Sequence, residues 1–223
     1  MHVPDLIGYL AELEQNNNRA WFVMNKPRYD ILRAEFLDLV TALIRDIGKF
    51  DPAVLACNPK KALFRIHRDT RFAKEKAPYK NNFSAAITAT GLKKPSQGGG
   101  PAYYFHITSS GLLMTAVGEW MPPPDRLLKI RQAIDRDAKG LKKALASKDL
   151  KATYGELQDE GKLARAPKGW DPEHPEIELI RNKSFIVWTE HNLKKKLPAD
   201  LEKDLATRFK AALPLVRWLR AVE

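Results

Sequence analysis

The stretch YYFHITSSGLLMTAVGEW, residues 103–120, decides the fold. Large apolar side chains recur at every second position, at Tyr103, Phe105 and Ile107, which is the spacing of a strand with one buried face. The segment TSSG at 108–111 then predicts a tight turn into a second run of the same kind. We therefore expect an antiparallel β-hairpin in the middle of the chain.

Two further runs predict additional strands on either side of this hairpin. In residues 83–89 (FSAAITA) apolar residues alternate with small polar ones, and residues 184–190 (SFIVWTE) predict a last strand. The Gly/Pro-rich segment GLKKPSQGGGP at 91–101 predicts a loop between the first of these strands and the hairpin.

Helical spacing of apolar residues dominates both ends of the chain. It predicts a first helix over 4–13, a long amphipathic helix over 31–47, helices again from Pro124, and a C-terminal tail that is kinked or broken at Pro214. The order of these elements predicts an α+β fold, in which a mainly antiparallel sheet from the middle of the chain is covered by N-terminal and C-terminal helices. The absence of a linker predicts a single domain, residues 1–223.

Basic residues are concentrated in one short segment. The chain has a net charge of +11, and residues 60–82 hold eight basic and two acidic side chains, so more than half of the excess lies in this segment. Such a patch attracts anions over a long range.

The lone cysteine and the hydropathy limit the class of protein. Because Cys57 is the one cysteine, no intramolecular disulfide can form, which predicts a reducing, cytoplasmic compartment. No apolar run approaches the roughly 20 residues that span a bilayer. We therefore predict no membrane partner.

The basic segment contains the run FRIHRDTRFAKEKAPYKNNF, residues 64–83. Strand alternation places Phe64 and Ile66 towards the core and would place Arg68 on the same side, where a guanidinium needs a partner. Either the strand bends near Arg68, or Arg68 is paired inside the protein with Asp69 or Glu119. Both alternatives predict a constrained arginine at the end of a strand.

The second half of this run predicts a stiffened loop. Pro78 favours an extended conformation for the residue before it and stops a helix there. The loop carries four cations and two apolar anchors: Arg71, Lys74, Lys76 and Lys80 with Phe72 and Tyr79. Arginine binds carboxylate or phosphate oxygens through two parallel hydrogen bonds and lysine acts as a point charge, so this set suits a phosphate or polyanion pocket.

The same run resembles the signature of a widespread bacterial and fungal domain-of-unknown-function family, F-R-I-x-R-D-x-R-F-x-x-x-K-x-P-Y-K. The chain departs from the usual family residues at His67, where tyrosine is common, and at Ala73, where serine is common. The resemblance continues more thinly through 103–122, 130–134 and 163–185. It implies membership over most of the chain, and it implies no established activity.

Few other sites emerge from the sequence. Asp69 and Glu119 are candidate catalytic residues, since two carboxylates among cations can work as an acid–base pair. His106-Ile107-Thr108 is half of the motif of the two-histidine phosphoesterases, and the second half is missing. No zinc-protease, Walker A or nucleophile-elbow pattern occurs, so we predict no cofactor and no metal.

Three functions remain open at this stage. The first is a pocket for a small phosphorylated or carboxylated ligand, binding or enzymatic, with Asp69 and Glu119 helping to orient it. Its predicted ligand-binding residues are Arg65, Arg68, Arg71, Lys76, Tyr79 and Lys80. The second is nucleic-acid binding along the basic run, with base stacking on nearby aromatics. The third is a structural or partner-binding protein in which the motif forms an internal salt-bridge network.

Overall fold

A computed structural model describes residues 1–69, 71, 76–93 and 97–222 of the protein. It has an α+β fold in which four antiparallel strands from the middle of the chain form one sheet, with helices before and after it. The predicted fold class is therefore confirmed.

The strands are β1 (Asn82–Thr88), β2 (Ala102–Thr108), β3 (Leu112–Glu119) and β4 (Phe185–Asn192). The helices are α1 (Val3–Gln15), α2 (Arg19–Met24), α3 (Lys26–Gly48), a 3-10 helix (Pro52–Ala56), α4 (Pro59–Ala62), α5 (Pro124–Arg136), α6 (Lys139–Leu145), α7 (Lys148–Tyr154), α8 (Ile177–Ile180), α9 (Leu201–Ala211) and α10 (Leu213–Ala221).

Local sequence explains where several of these helices start. Asn18 caps α2 by accepting a hydrogen bond from the backbone N–H of Trp21 at 3.0 Å, and Asp200 caps α9 by accepting one from Lys203 at 3.0 Å. Pro214 lies in the first turn of α10, where its missing N–H costs no helical hydrogen bond. The C-terminal tail is thus broken into two helices, as Pro214 predicted.

The register of the sheet keeps side chains of the same parity on the same face. The strand order is β1-β2-β3-β4, and all three pairs are antiparallel. One row across the sheet pairs Ala85 with Phe105 and Phe105 with Thr115. Odd-numbered strand residues therefore share one face, which we call the inner face, and even-numbered residues share the outer face.

The inner face holds the core. Phe105 is fully buried, and its ring lies 5.3 Å from Phe36 of α3 and 6.4 Å from Phe209 of α9, centroid to centroid. Tyr103 is also buried and donates a hydrogen bond from its hydroxyl to the Asp51 carboxylate at 2.8 Å. N-terminal and C-terminal helices thus meet on the same side of the sheet.

The outer face of the sheet carries smaller buried residues than the inner face. Ala86, Ala116 and Ile186 are buried on it, whereas Tyr104 and Trp188 are half-buried. Among the described residues, those outside the strands that line a cleft on this face lie in connecting segments. The outer face therefore carries a concavity that loops border.

In the part of the chain that the structure describes, no helix combines the length and the apolar character needed to cross a membrane.

We predict that the substitution Phe105→Ala lowers the free energy of unfolding by about 3–5 kcal/mol, because it removes the ring that packs against α3 and α9 and leaves a cavity there. Urea denaturation followed by circular dichroism measures this loss. As a control, Glu190→Ala at an exposed outer-face position should change the same quantity by at most about 0.5 kcal/mol. Equal effects of the two substitutions would contradict the one-sided core.

Candidate functional site

The basic motif folds back on itself beside β1. Three backbone hydrogen bonds hold it in place. The Phe64 N–H donates to the Ser84 carbonyl at 2.9 Å. Within the motif, the Lys80 N–H donates to the Ile66 carbonyl and the Arg68 N–H to the Pro78 carbonyl, both at 2.8 Å. Pairing is limited to isolated bridges and does not extend into a regular strand, since Pro78 has no N–H to continue a ladder. The strand predicted from Phe64 is therefore wrong as a regular element. Ile66 is buried and Arg65 exposed as the alternation predicted, whereas Phe64 is half-buried and is not part of the core.

Tyr79 anchors the second half of the motif. Its ring is buried and stacks on Phe22 of α2 with a centroid separation of 4.1 Å. The side-chain amide of Asn17 accepts from the Tyr79 N–H and donates to the Tyr79 carbonyl, both at 3.0 Å. The motif is thereby fastened to the turn between α1 and α2.

Asp69 and Arg71 form a two-pronged ion pair at the surface. The guanidinium donates from Nε to Oδ1 at 3.0 Å and from Nη2 to Oδ2 at 2.7 Å. Hydrogen bonds from the Arg71 side chain and backbone lower the pKa of Asp69 to about 2. Such a carboxylate is a weak base, which limits the acid–base chemistry that Asp69 can perform.

Four of the predicted site residues line one shallow cleft of about 640 Å³, which we call the motif cleft: Arg68, Asp69, Tyr79 and Lys80. Its other lining residues are Glu14, Asn17, Ala77, Asn81 and Asn82. Glu14 accepts hydrogen bonds from Ser109 at 2.6 Å and Asn81 at 2.7 Å, which lower the pKa of its carboxyl. The motif cleft thus contains charges of both signs.

The remaining predicted residues are dispersed. Arg65, Arg71 and Lys76 are exposed and do not line the motif cleft. Lys74 and Phe72, which the sequence placed on the same loop, lie outside the described residues.

A second cleft of about 630 Å³ occupies the outer face of the sheet, and we call it the sheet cleft. Its floor consists of small or aliphatic outer-face residues: Ala86, Ala102, Ala116, Gly118 and Ile186. Its walls come from the strands and the connecting segments and include the aromatic residues Phe64, Tyr104, Trp120 and Trp188, together with Leu92, Lys93, Met114, Pro122, Pro123, Glu160 and Glu190. Short side chains on the floor and large ones around it create the concavity.

Phe64 connects the motif to the sheet cleft. The Nζ atoms of Lys80 and Lys93 lie 5.3 and 4.9 Å from the centroid of its ring. Burial, followed by the charge of Arg65, lowers the pKa of Lys80. Lys93 also donates a hydrogen bond to the Leu63 carbonyl. Positive charge therefore gathers at the β1 side of the sheet cleft.

A turn with two residues at positive φ forms the wall of the sheet cleft at the end of β3. Gly118 has φ +129°, and a Cβ there would lie 2.1 Å from the Phe185 carbonyl oxygen, so this position requires glycine. Met121 has φ +44°, an unusual value for a residue with a side chain, and its N–H donates to Ser184 Oγ at 2.9 Å. This backbone holds the indole of Trp120 at the mouth of the sheet cleft.

Glu119 lies in the same wall and is buried in an ion pair. Arg126 of α5 donates to its two carboxylate oxygens, with a shortest distance of 2.7 Å. The same guanidinium donates to the carbonyls of Leu219 and Val222 at the end of α10. The predicted pairing of Glu119 with an arginine exists, but the arginine is Arg126 and not Arg68.

The two candidate catalytic residues are not brought together. Asp69 lines the motif cleft and Glu119 lines the sheet cleft, and no residue lines both. Tyr104 and His106 form a different polar pair on the outer face, with 3.0 Å between the Tyr104 hydroxyl and His106 Nδ1. The sheet cleft was missed from the sequence, although alanines at 86, 102 and 116, all of one parity in neighbouring strands, were a usable signal.

Metal binding has no support among the described residues, where no group of three or more His, Cys, Asp or Glu side chains could hold an ion. His174 contacts Asp135 at 3.1 Å and accepts a hydrogen bond from the Glu176 N–H at 3.0 Å, at the start of α8.

The chain belongs to the conserved hypothetical protein family DUF2461, whose sequence model matches residues 5–218. This match confirms the membership in a family of unknown function that the motif resemblance implied. Neither the search of curated proteins nor the search of solved structures found a match to the chain.

We predict that Asn17→Ala loosens the second half of the motif, because it removes both hydrogen bonds to the Tyr79 backbone. Stability should fall by about 1–3 kcal/mol, and the amides of Arg68 and Lys80 should exchange faster with deuterium. Asn16→Ala is the matched control, since the Asn16 side chain bonds only locally to Glu12. Equal exchange in both variants would show that Asn17 does not hold the motif.

Proposed function

We propose that the protein binds a small anionic ligand with a flat apolar body in the sheet cleft. The carboxylate or phosphate of the ligand lies at the β1 side, near Lys80 and Lys93, and its body lies over the alanine floor. The observation that carries this proposal is the concave, aromatic-walled cleft with cations at one end.

The size and lining of the sheet cleft support a small-molecule site. Its volume of about 630 Å³ is in the range of ligand pockets, which are mostly apolar and contain a few placed polar groups. Trp120 and Trp188 line the cleft, and offset or edge-on contacts between an indole and a bound ring add to the burial of apolar area. Ala116 lines the cleft with a single methyl group, which leaves room for a ring where a longer side chain would fill it.

The charges around the sheet cleft support an orientation for the ligand. Lys93, which lines the sheet cleft, and Lys80, which lines the motif cleft, lie beside the Phe64 ring next to β1. The lining residues Glu190 on β4 and Glu160, whose segment bonds to β4 through Gln158 and the Ile186 carbonyl, lie at the opposite edge of the sheet. The buried carboxylate of Glu119 is compensated by Arg126. An anion is therefore attracted to the β1 side and repelled from the β4 side.

The other two functions receive less support from the same geometry. Nucleic-acid binding favours a broad positive face, whereas the motif cleft contains Glu14 and Asp69 beside Arg68 and Lys80. An internal salt-bridge network favours buried pairs, whereas the Asp69–Arg71 pair is exposed, with side chains 47% and 76% accessible.

We predict that 2-naphthoate binds to the protein and that its neutral counterpart, 2-naphthalenemethanol, binds more weakly. Quenching of tryptophan fluorescence and isothermal titration calorimetry give both dissociation constants. Ala116→Leu should abolish binding of both compounds, because the larger side chain fills the floor of the sheet cleft. Lys93→Met should reduce the preference for the carboxylate by about tenfold, which corresponds to about 1.4 kcal/mol.

Lys194→Met is the matched control for loss of a lysine, since Lys194 is exposed after β4 and does not line the sheet cleft. Its preference for the carboxylate should equal that of the unaltered protein. Failure of 2-naphthoate to bind, or undiminished binding to Ala116→Leu, would overturn the proposed site.

A further inference from the structure

The charged residues that line the sheet cleft are sorted by sign across the sheet. Lys93 lines it on the β1 side, and Glu190 lines it on β4. Glu160 also lies on the β4 side, because the Gln158 N–H, two residues earlier, donates to the Ile186 carbonyl of β4 at 3.0 Å. The positive end of the cleft, which the proposed function assigns to the acid group of the ligand, therefore has a negative end opposite to it.

The glutamates of the lining differ in whether a cation neutralises them. Glu119 is buried and paired with Arg126, with 2.7 Å between the charged atoms. Glu160 and Glu190 are exposed, and neither forms an ion pair with any residue that the structure describes. Their negative charges are therefore open to a cationic group of a ligand.

An aromatic residue lies between these two carboxylates. On the outer face of β4 the order is Ile186, Trp188 and Glu190, so Trp188 is flanked by Glu190 on one side. On its other side is Ile186, whose carbonyl holds the segment that carries Glu160. An indole attracts a cation that lies over its ring, and negative charges on both sides of it favour the same group.

The distance across the sheet sets the size of a ligand that reaches both ends. Neighbouring strands lie about 4.8 Å apart, so the three steps from β1 to β4 cover about 14 Å. One row of the lining crosses this distance without a charged residue: Ala86, Tyr104, Ala116 and Trp188. The cleft therefore suits an apolar body with one charged group at each end.

We infer that the ligand of the sheet cleft is zwitterionic. Its acid group lies at the β1 side, and a cationic group, an ammonium or a guanidinium, lies at the β4 side near Glu160, Trp188 and Glu190. The inference rests on the proposed function and narrows its ligand class. Exposed ion pairs and a cation over an aromatic ring each contribute modestly, so we expect the cationic group to raise the affinity about tenfold in total.

The test uses derivatives of 2-naphthoate with an aminomethyl group at ring position 5, 6 or 7, each matched by the hydroxymethyl and the carboxylate compound at the same position. Titration calorimetry at neutral pH gives the dissociation constants. At the best position the aminomethyl compound should bind about tenfold more tightly than the hydroxymethyl compound, and the dicarboxylate should bind more weakly than either.

The outcomes separate this inference from the proposed function. If 2-naphthoate binds but no aminomethyl isomer binds more tightly than its hydroxymethyl counterpart, the inference is overturned and the proposed function stands. A dicarboxylate that binds as tightly as the aminomethyl compound would overturn it equally. Failure of every compound, including 2-naphthoate, would overturn both.

Two double variants assign the effect to the β4 side. Glu160→Gln with Glu190→Gln should reduce the ratio of aminomethyl to hydroxymethyl affinity from about tenfold to about twofold, the part left to Trp188. Glu156→Gln with Glu173→Gln removes the same charge from exposed residues that do not line the sheet cleft, and it should preserve the ratio. A ratio that persists in the first variant, or that falls equally in both, would contradict the role of the two carboxylates. All four side chains are exposed, so both variants should fold.

Discussion

The parity of the antiparallel register is the constraint on which the rest of the structure depends. Because Ala85, Phe105 and Thr115 share one row, every odd-numbered strand residue faces the helices and every even-numbered one faces the other way. A shift of one residue in β2 would place Phe105 on the outer face and would turn Tyr104 and His106 towards the core. The same register that closes the core on one side therefore shapes the sheet cleft on the other.

The basic motif contributes a wall of the sheet cleft and also carries positive charge. Tyr79 is buried against Phe22, and its backbone is held by Asn17, so the motif is fixed to the N-terminal helices. Phe64, at the other end of the motif, forms a wall of the sheet cleft. Lys80 lies beside the Phe64 ring, so part of the positive charge of the motif is close to the apolar sheet cleft. The sequence alone did not predict this proximity.

The fold could be predicted from the sequence because its decisive signals are local. Alternation in 103–107 and the turn at 108–111 specify a hairpin, and helical spacing specifies the flanking helices. The partner of Glu119 could not be predicted in this way: Arg126 is only seven residues further along, but the contact depends on how the chain turns after β3. Arg126 reaches Glu119 because α5 returns over the end of β3, and no period in the sequence encodes that return. The sheet cleft was not predicted from the sequence for a related reason. Small residues on one face form a floor only when the four strands are paired in register.

The central claim is that the ligand site lies on the outer face of the sheet, with its anion-binding end at Lys80 and Lys93. A crystal structure of the protein with 2-naphthoate tests it most directly. The account predicts electron density for the ring over Ala116, between Trp120 and Trp188, with the carboxylate within hydrogen-bonding distance of Lys93 or Lys80. A ring bound in the motif cleft with its carboxylate on Arg68, and an empty sheet cleft, would contradict it.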